Sequence, residues 1–182
     1  MKNNIFANIS LRGRMAYAIL CCEKYLLHKY PEKNWEILFI HLWEITSIEL
    51  FDEWLSKINE ILPECLLEFS DYESSDFSIL TKSEYEEFKN LYQGIKQDVN
   101  TIIKMIWNLI NDIAYSEISD ASNNKSNQKD MIKIIQILEK ENIEVPDIKT
   151  VEFSSFTECE GNGNQFDGTN LSSILNKDIK TS

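Results

Sequence analysis

Trp35, Leu38, Phe39, Leu42 and Trp43 recur at positions i, i+3, i+4, i+7 and i+8. On a helix of 3.6 residues per turn these five side chains form one stripe, whereas on a strand they would scatter over both faces. The same spacing recurs along most of the chain, and it constrains the fold more than any other feature. Ser10 is placed to cap a helix running to about Tyr30, with Met15, Ala18, Ile19, Cys22, Tyr25 and Leu26 on one face. Pro31 suits the first turn of the second helix, which carries the stripe. A third helix is expected from about Ile48 to Leu62, burying Phe51, Trp54, Leu55, Ile58 and Leu62 and interrupted by Pro63. Thr81 and Glu84 form a capping box for a fourth, followed by Tyr85, Phe88, Leu91 and Tyr92. Gly94 marks its end or a kink into a fifth, where Val99, Ile102, Ile103, Ile106, Ile110 and Ile113 repeat. A sixth covers about Lys129 to Asn142, with Met131, Ile134, Ile135 and Leu138 inward and Pro146 stopping what remains.

Only five Gly and three Pro in 182 residues leave few turn residues for a β-sandwich. The chain is 43% hydrophobic and rich in aromatic residues, enough for one substantial core. The expected fold is therefore all-α: a single-domain bundle of about six helices over residues 10–142, with an irregular Gly/Asn-containing tail, 143–182, packed on it. Ser119 to Gln128 reads as a polar linker inside that domain. Charges interrupt every apolar stretch too early for a membrane span, and the N-terminus lacks a secretory signal. Cys21, Cys22, Cys65 and Cys159 form no CxxC pair, and the adjacent Cys21 and Cys22 read as small buried hydrophobes. The expectation is a cytoplasmic, reduced protein that does not engage membranes.

Gly161, Gly163 and Gly168 in "ECEGNGNQFDG" raise the possibility of a phosphate cradle. Such a loop needs its glycines between a strand and a helix N-terminus, usually with a lysine nearby. No Lys or Arg falls between Lys149 and Lys177, and Asp167 adds charge of the wrong sign. The segment reads better as two turns flanking Phe166, with Phe153, Phe156, Phe166 and Leu171 pinning the tail to the bundle. His41 and Glu44 stand at i, i+3, the inverse of the Glu-x-x-His order of di-iron bundles, and His28 is the only other histidine. If Asp71 opens an EF-hand loop, Asp76 and Lys82 stand where Gly and Glu are required. No catalytic residue, metal ligand or cofactor is assigned, and the chain is not read as an enzyme.

Charge gives the positive signal. Residues 1–43 carry +3, residues 44–87 carry −11 and residues 88–182 carry −4. Such a field repels nucleic acid and anionic lipid, and steers a basic protein toward itself. The candidate partner-binding residues are Asp71, Tyr72, Glu73, Asp76 and Phe77 in the stretch "SDYESSDF", with Asp52, Glu53, Glu60, Glu64, Glu86 and Glu87 around them. Carboxylates would raise the encounter rate and aromatic rings would hold the partner.

The blocks "RGRMAYAILCCEKYLLHKYPEKNW" and "FSSFTECEGNGNQFDGTNLSSIL" resemble the start and end of small helical bacterial immunity proteins from contact-dependent inhibition and polymorphic-toxin loci. The middle of the chain matches more loosely. This resemblance implies a cytoplasmic antidote that binds a cognate toxin domain, commonly a basic nuclease, and blocks its active site or substrate path. Immunity families share no catalytic motif, so the resemblance carries over no catalytic residue. Two other readings stand beside it: a metal-dependent helical enzyme using buried carboxylates, and a regulatory adaptor for another cytoplasmic protein.

Overall fold

The computed structural model describes residues 5–95, 98–118 and 127–176, the side chains of 110–118 and 127–130 excepted. The architecture is an all-α bundle built from α1 (Leu11–Lys29), α2 (Glu36–Trp43), α3 (Phe51–Ile61), α4 (Pro63–Glu68), α5 (Lys82–Leu91), α6 (Val99–Ile118) and α7 (Asn127–Lys140). Among the described residues there is no sheet, and the one β-like feature is an isolated antiparallel bridge between Ile9 and Ser155. Residues 119–126 of the expected linker, and the side chains of Ile110 and Ile113, lie outside the described residues. Asn127 and Gln128 already belong to α7.

Helix α1 is the centre of the bundle. The Ser10 hydroxyl caps it by accepting the Gly13 N–H at 3.1 Å, as its position suggested. The sequence stripe captured only part of its burial, because every residue from Leu11 to Glu23 is buried, Arg12, Arg14 and Glu23 included. Helices α2, α6 and α7 and the turn at Ile148–Val151 surround it, so from Leu11 to Glu23 it has no solvent face to mark with polar residues. Small residues permit the close approach: a methyl group on Gly13 would lie 2.6 Å from the Ile9 side chain. Burial pushes both the Cys21 and Cys22 thiols up, Cys22 to about 12, which fits inert core residues.

The stripe on α2 lies where the spacing put it, with Trp35, Leu38, Phe39, Leu42 and Trp43 at most 1% exposed. Two helix starts differ from expectation. Pro31 lies in the turn after α1, and α2 begins only at Glu36. Residues Glu44–Thr46 form a 3-10 turn, so α3 starts at Phe51. Pro63, expected as an interruption, takes the first position of the extra helix α4, where its missing N–H costs nothing. The Thr81–Glu84 capping box on α5 is complete in both directions. Gly94, at φ +79°, ends the turn after α5.

The tail does pack on the bundle, but its phenylalanines are not its main hold. Phe153 is 56% exposed and rests edge-on against Phe166, while Phe156, Phe166 and Leu171 are only partly buried. A tail lying on a surface leaves one face of each ring in water. Hydrogen bonds do the holding: Ser10 N–H to Ser154 carbonyl at 2.9 Å, Phe156 N–H to Asn8 carbonyl at 2.9 Å, and Phe166 N–H to Thr46 carbonyl at 2.9 Å. The buried Glu23 carboxylate adds a second anchor by accepting the Ser173 N–H at 2.9 Å and the Ser172 hydroxyl at 2.5 Å.

Candidate functional site

The acidic stretch between α4 and α5 is an ordered loop, and several of its residues hold that order. Asp71 caps the turn at Tyr72–Ser74 by accepting the Ser74 N–H at 2.9 Å, and also accepts the Ser70 hydroxyl at 3.0 Å. These donors, Ser70 first, hold its carboxyl below the ordinary range. From α3, Glu60 accepts the N–H groups of Ser78, Ile79 and Leu80 at 2.8, 3.0 and 2.7 Å. Partial burial opposes ionisation of Glu60, yet these donors together hold its pKa below the usual value. Glu73 pairs with Lys82.

The two aromatic residues expected as binding anchors face inward instead. The Tyr72 hydroxyl donates to the Leu80 carbonyl at 2.9 Å, and the Tyr72 and Phe77 rings each lie 5.8 Å from Tyr85. Phe69 completes the cluster at 5.3 Å from Phe77. Both rings are half-buried and glue the loop to α5, because a loop this long needs a small core of its own.

The rest of the candidate set is exposed. Asp52 and Glu53 sit in the first turn of α3 and Glu64 in the first turn of α4, where carboxylates favour the helix dipole. Asp76 projects from the loop, and Glu86 and Glu87 from α5. Glu49 and Glu68 are exposed as well. None of these eight carboxylates lies within ion-pair distance of a Lys or Arg among the described residues, whereas Lys57 is committed to Glu44 and Lys82 to Glu73. Helix α4 packs against α3, α5 and α6, and so joins these surfaces.

Beside α4 runs an open apolar groove of about 510 Å³, floored by Pro63, Leu67, Val99, Ile103 and Trp107 and edged by Glu64, Glu68 and Lys104. Leu67 is 40% exposed and Trp107 50%, while Trp35, Trp43 and Trp54 are each 1% exposed. The sequence reading missed this groove. The available signal was that Trp107 falls off the Ile102, Ile106 stripe of its helix.

His41 is buried, 3.8 Å from Glu44 and 3.7 Å from Glu84, with its ring 5.7 Å from Phe88. Burial, assisted by Lys57, lowers its pKa against the pull of the two carboxylates. His28 is exposed at the end of α1. Among the described residues, no group of three His, Cys, Asp or Glu side chains is placed to hold a metal ion. No described helix is long and apolar enough to cross a membrane. What the arrangement offers chemically is a carboxylate-rich surface interrupted by an apolar groove. No protein-family model, no curated protein and no solved structure matches the chain.

Proposed function

We propose that this chain is an immunity protein that neutralises a basic toxin domain, most simply a nuclease, by stoichiometric binding in the cytoplasm. One observation carries the reading: Glu49, Asp52, Glu53, Glu64, Glu68, Asp76, Glu86 and Glu87 are exposed and, among the described residues, lie outside ion-pair distance of any Lys or Arg, in a segment of net charge −11. Like charge gathered on one surface creates a field that draws a cationic partner toward it. The resemblance of the two terminal blocks to immunity proteins supports the same conclusion. In this reading the carboxylates attract the partner and occupy the positive cleft where nucleic acid would lie. Leu67 and Trp107, rather than Tyr72 and Phe77, hold it in place.

The test is co-expression and calorimetry with the product of the neighbouring gene. The expected result is a variable toxic C-terminal domain that kills cells alone, is tolerated with this chain, and binds it one to one. A neighbouring product that is harmless and does not bind would overturn the proposal.

A further inference from the structure

A second cleft, of about 550 Å³, lies between the start of α3 and the glycine-rich tail, within the size range of small-molecule sites. Arg12 lines it from α1, and this residue is only 5% exposed. It stacks on Phe51 with 4.7 Å from Cζ to the ring centroid, and its Nη1 donates to the Ile45 carbonyl at 2.6 Å. The buried Nε has no partner, and Arg12 makes no ion pair among the described residues. A buried cation without an anion is costly, and five donors with one bond made invite an oxyanion.

The surroundings supply matching groups. Helix α3 starts at Phe51 with no side-chain cap, so its first N–H groups remain open at the positive end of the helix dipole. On the other wall, Gly163, at φ +81°, carries the chain past α1 and places Asn164 and Gln165 at the cleft. Glu49 and Asp52 line the same cleft, which selects among anions. A dianion such as phosphate would meet two carboxylates, whereas a ligand with an ammonium beside its carboxylate would satisfy both signs.

We propose that this cleft binds the head group of a free α-amino acid, its carboxylate on Arg12 and the α3 N-terminus, its ammonium against Asp52 and Glu49. The site shares Glu49 and Asp52 with the partner surface proposed above, but its argument and its test do not depend on that reading.

The test is NMR titration of the full chain, with the Arg12 side-chain N–H and the amides of Phe51 and Asp52 as reporters. The probes are the common α-amino acids one at a time, acetate and inorganic phosphate. The expected result is a saturable shift of these reporters with at least one amino acid, which acetate and phosphate reproduce at least tenfold more weakly. Arg12→Met should abolish it. Because Arg12 is buried and that variant can fail to fold, Asp52→Asn, on the exposed rim, serves as the second variant and should weaken amino-acid binding several-fold while leaving acetate unchanged. No saturable shift with any amino acid, phosphate or acetate binding as tightly, or unchanged affinity in Asp52→Asn would each overturn the assignment.

Discussion

The Trp43 indole N–H donates to the Glu23 carboxylate at 2.8 Å, and both residues are 1% exposed. Glu23 also accepts from Ser172 and Ser173, so one buried carboxylate ties the central helix, α2 and the C-terminal tail together. Glu23→Ala leaves the buried Trp43 and Ser172 donors without a partner. An orphaned buried donor costs about 1–3 kcal/mol, so the variant should lose roughly 2–4 kcal/mol. In a chain of this length that lowers the melting temperature by roughly 5–15 °C. Limited proteolysis should also cut first in the tail. An unchanged melting temperature would show that the tail is an appendage.

Two glycines with similar backbone angles should respond differently to alanine. Gly94 (φ +79°) has nothing within 4 Å of an added methyl, so Gly94→Ala should cost only the left-handed strain, about 1–2 kcal/mol. Gly163 (φ +81°) adds a clash, its methyl falling 2.2 Å from the Ser10 hydroxyl that caps α1. Gly163→Ala should cost about 3 kcal/mol or more, from strain, overpacking and loss of the cap. Urea denaturation of both variants decides the order, and equal losses would contradict it.

Acid should destabilise the fold in two steps. His41 has its pKa lowered on folding, so below the ordinary value of 6.5 the unfolded chain takes up a proton that the folded chain does not. Its stabilising effect is therefore present above pH 6.5 and lost as pH falls beneath it. Glu60, also lowered, acts in a lower window: its contribution is present above its ordinary value of 4.5 and lost as pH falls through its folded value. His41→Gln should flatten the stability profile as pH falls below about 6.5, the ordinary histidine value, without touching the Glu60 step. A profile identical to the wild type in that range would contradict the assignment. The same variant, combined with His28→Gln, should still protect cells; loss of protection by a stable double variant would favour the metal-enzyme reading.

The roles of the rings divide in the same way. Phe77→Ala should loosen the acidic loop and lower stability, since its ring packs on Phe69, Tyr72 and Tyr85. Trp107→Ala removes a side chain that is half in water, so the melting temperature should shift little while the off-rate from a toxin rises tenfold or more. Equal off-rates for wild type and Trp107→Ala would remove the groove from the interface.

Much of the helical frame was legible because its signals are local. Ser10, the Thr81–Glu84 box and the Trp35 to Trp43 stripe each declare a helix within eight or nine residues. What depended on distant partners was not legible. Glu60 reads as one more surface acid until Ser78, Ile79 and Leu80, eighteen to twenty residues away, donate to it. Arg12 and Glu23 look like solvent-facing charges on α1 until distant partners enclose them: Ile45 and Phe51 for Arg12, and Trp43 with the tail serines for Glu23. Tyr72 and Phe77 sit among acids in sequence, but rings in a loop collapse on the nearest apolar surface, here Tyr85. Trp107 stands off the Ile102, Ile106 stripe of α6, and nothing local in sequence shows that α4 builds an apolar groove beside it.

The central claim is that the exposed carboxylates of residues 44–87 steer a basic toxin domain onto this chain. Stopped-flow association with that domain tests it most directly, as a function of salt. The on-rate should fall steeply from about 0.1 M to 1 M salt, as the Debye length shrinks from roughly 10 Å to about 3 Å. Glu64→Lys, Asp76→Lys, Glu86→Lys and Glu87→Lys together, at exposed positions without a side-chain hydrogen bond or ion pair among the described residues, should slow association about tenfold or more at low salt and flatten that dependence. Stability should change little, because exposed charges contribute little to folding. A quadruple variant that associates at the wild-type rate, with the wild-type salt dependence, would contradict the account.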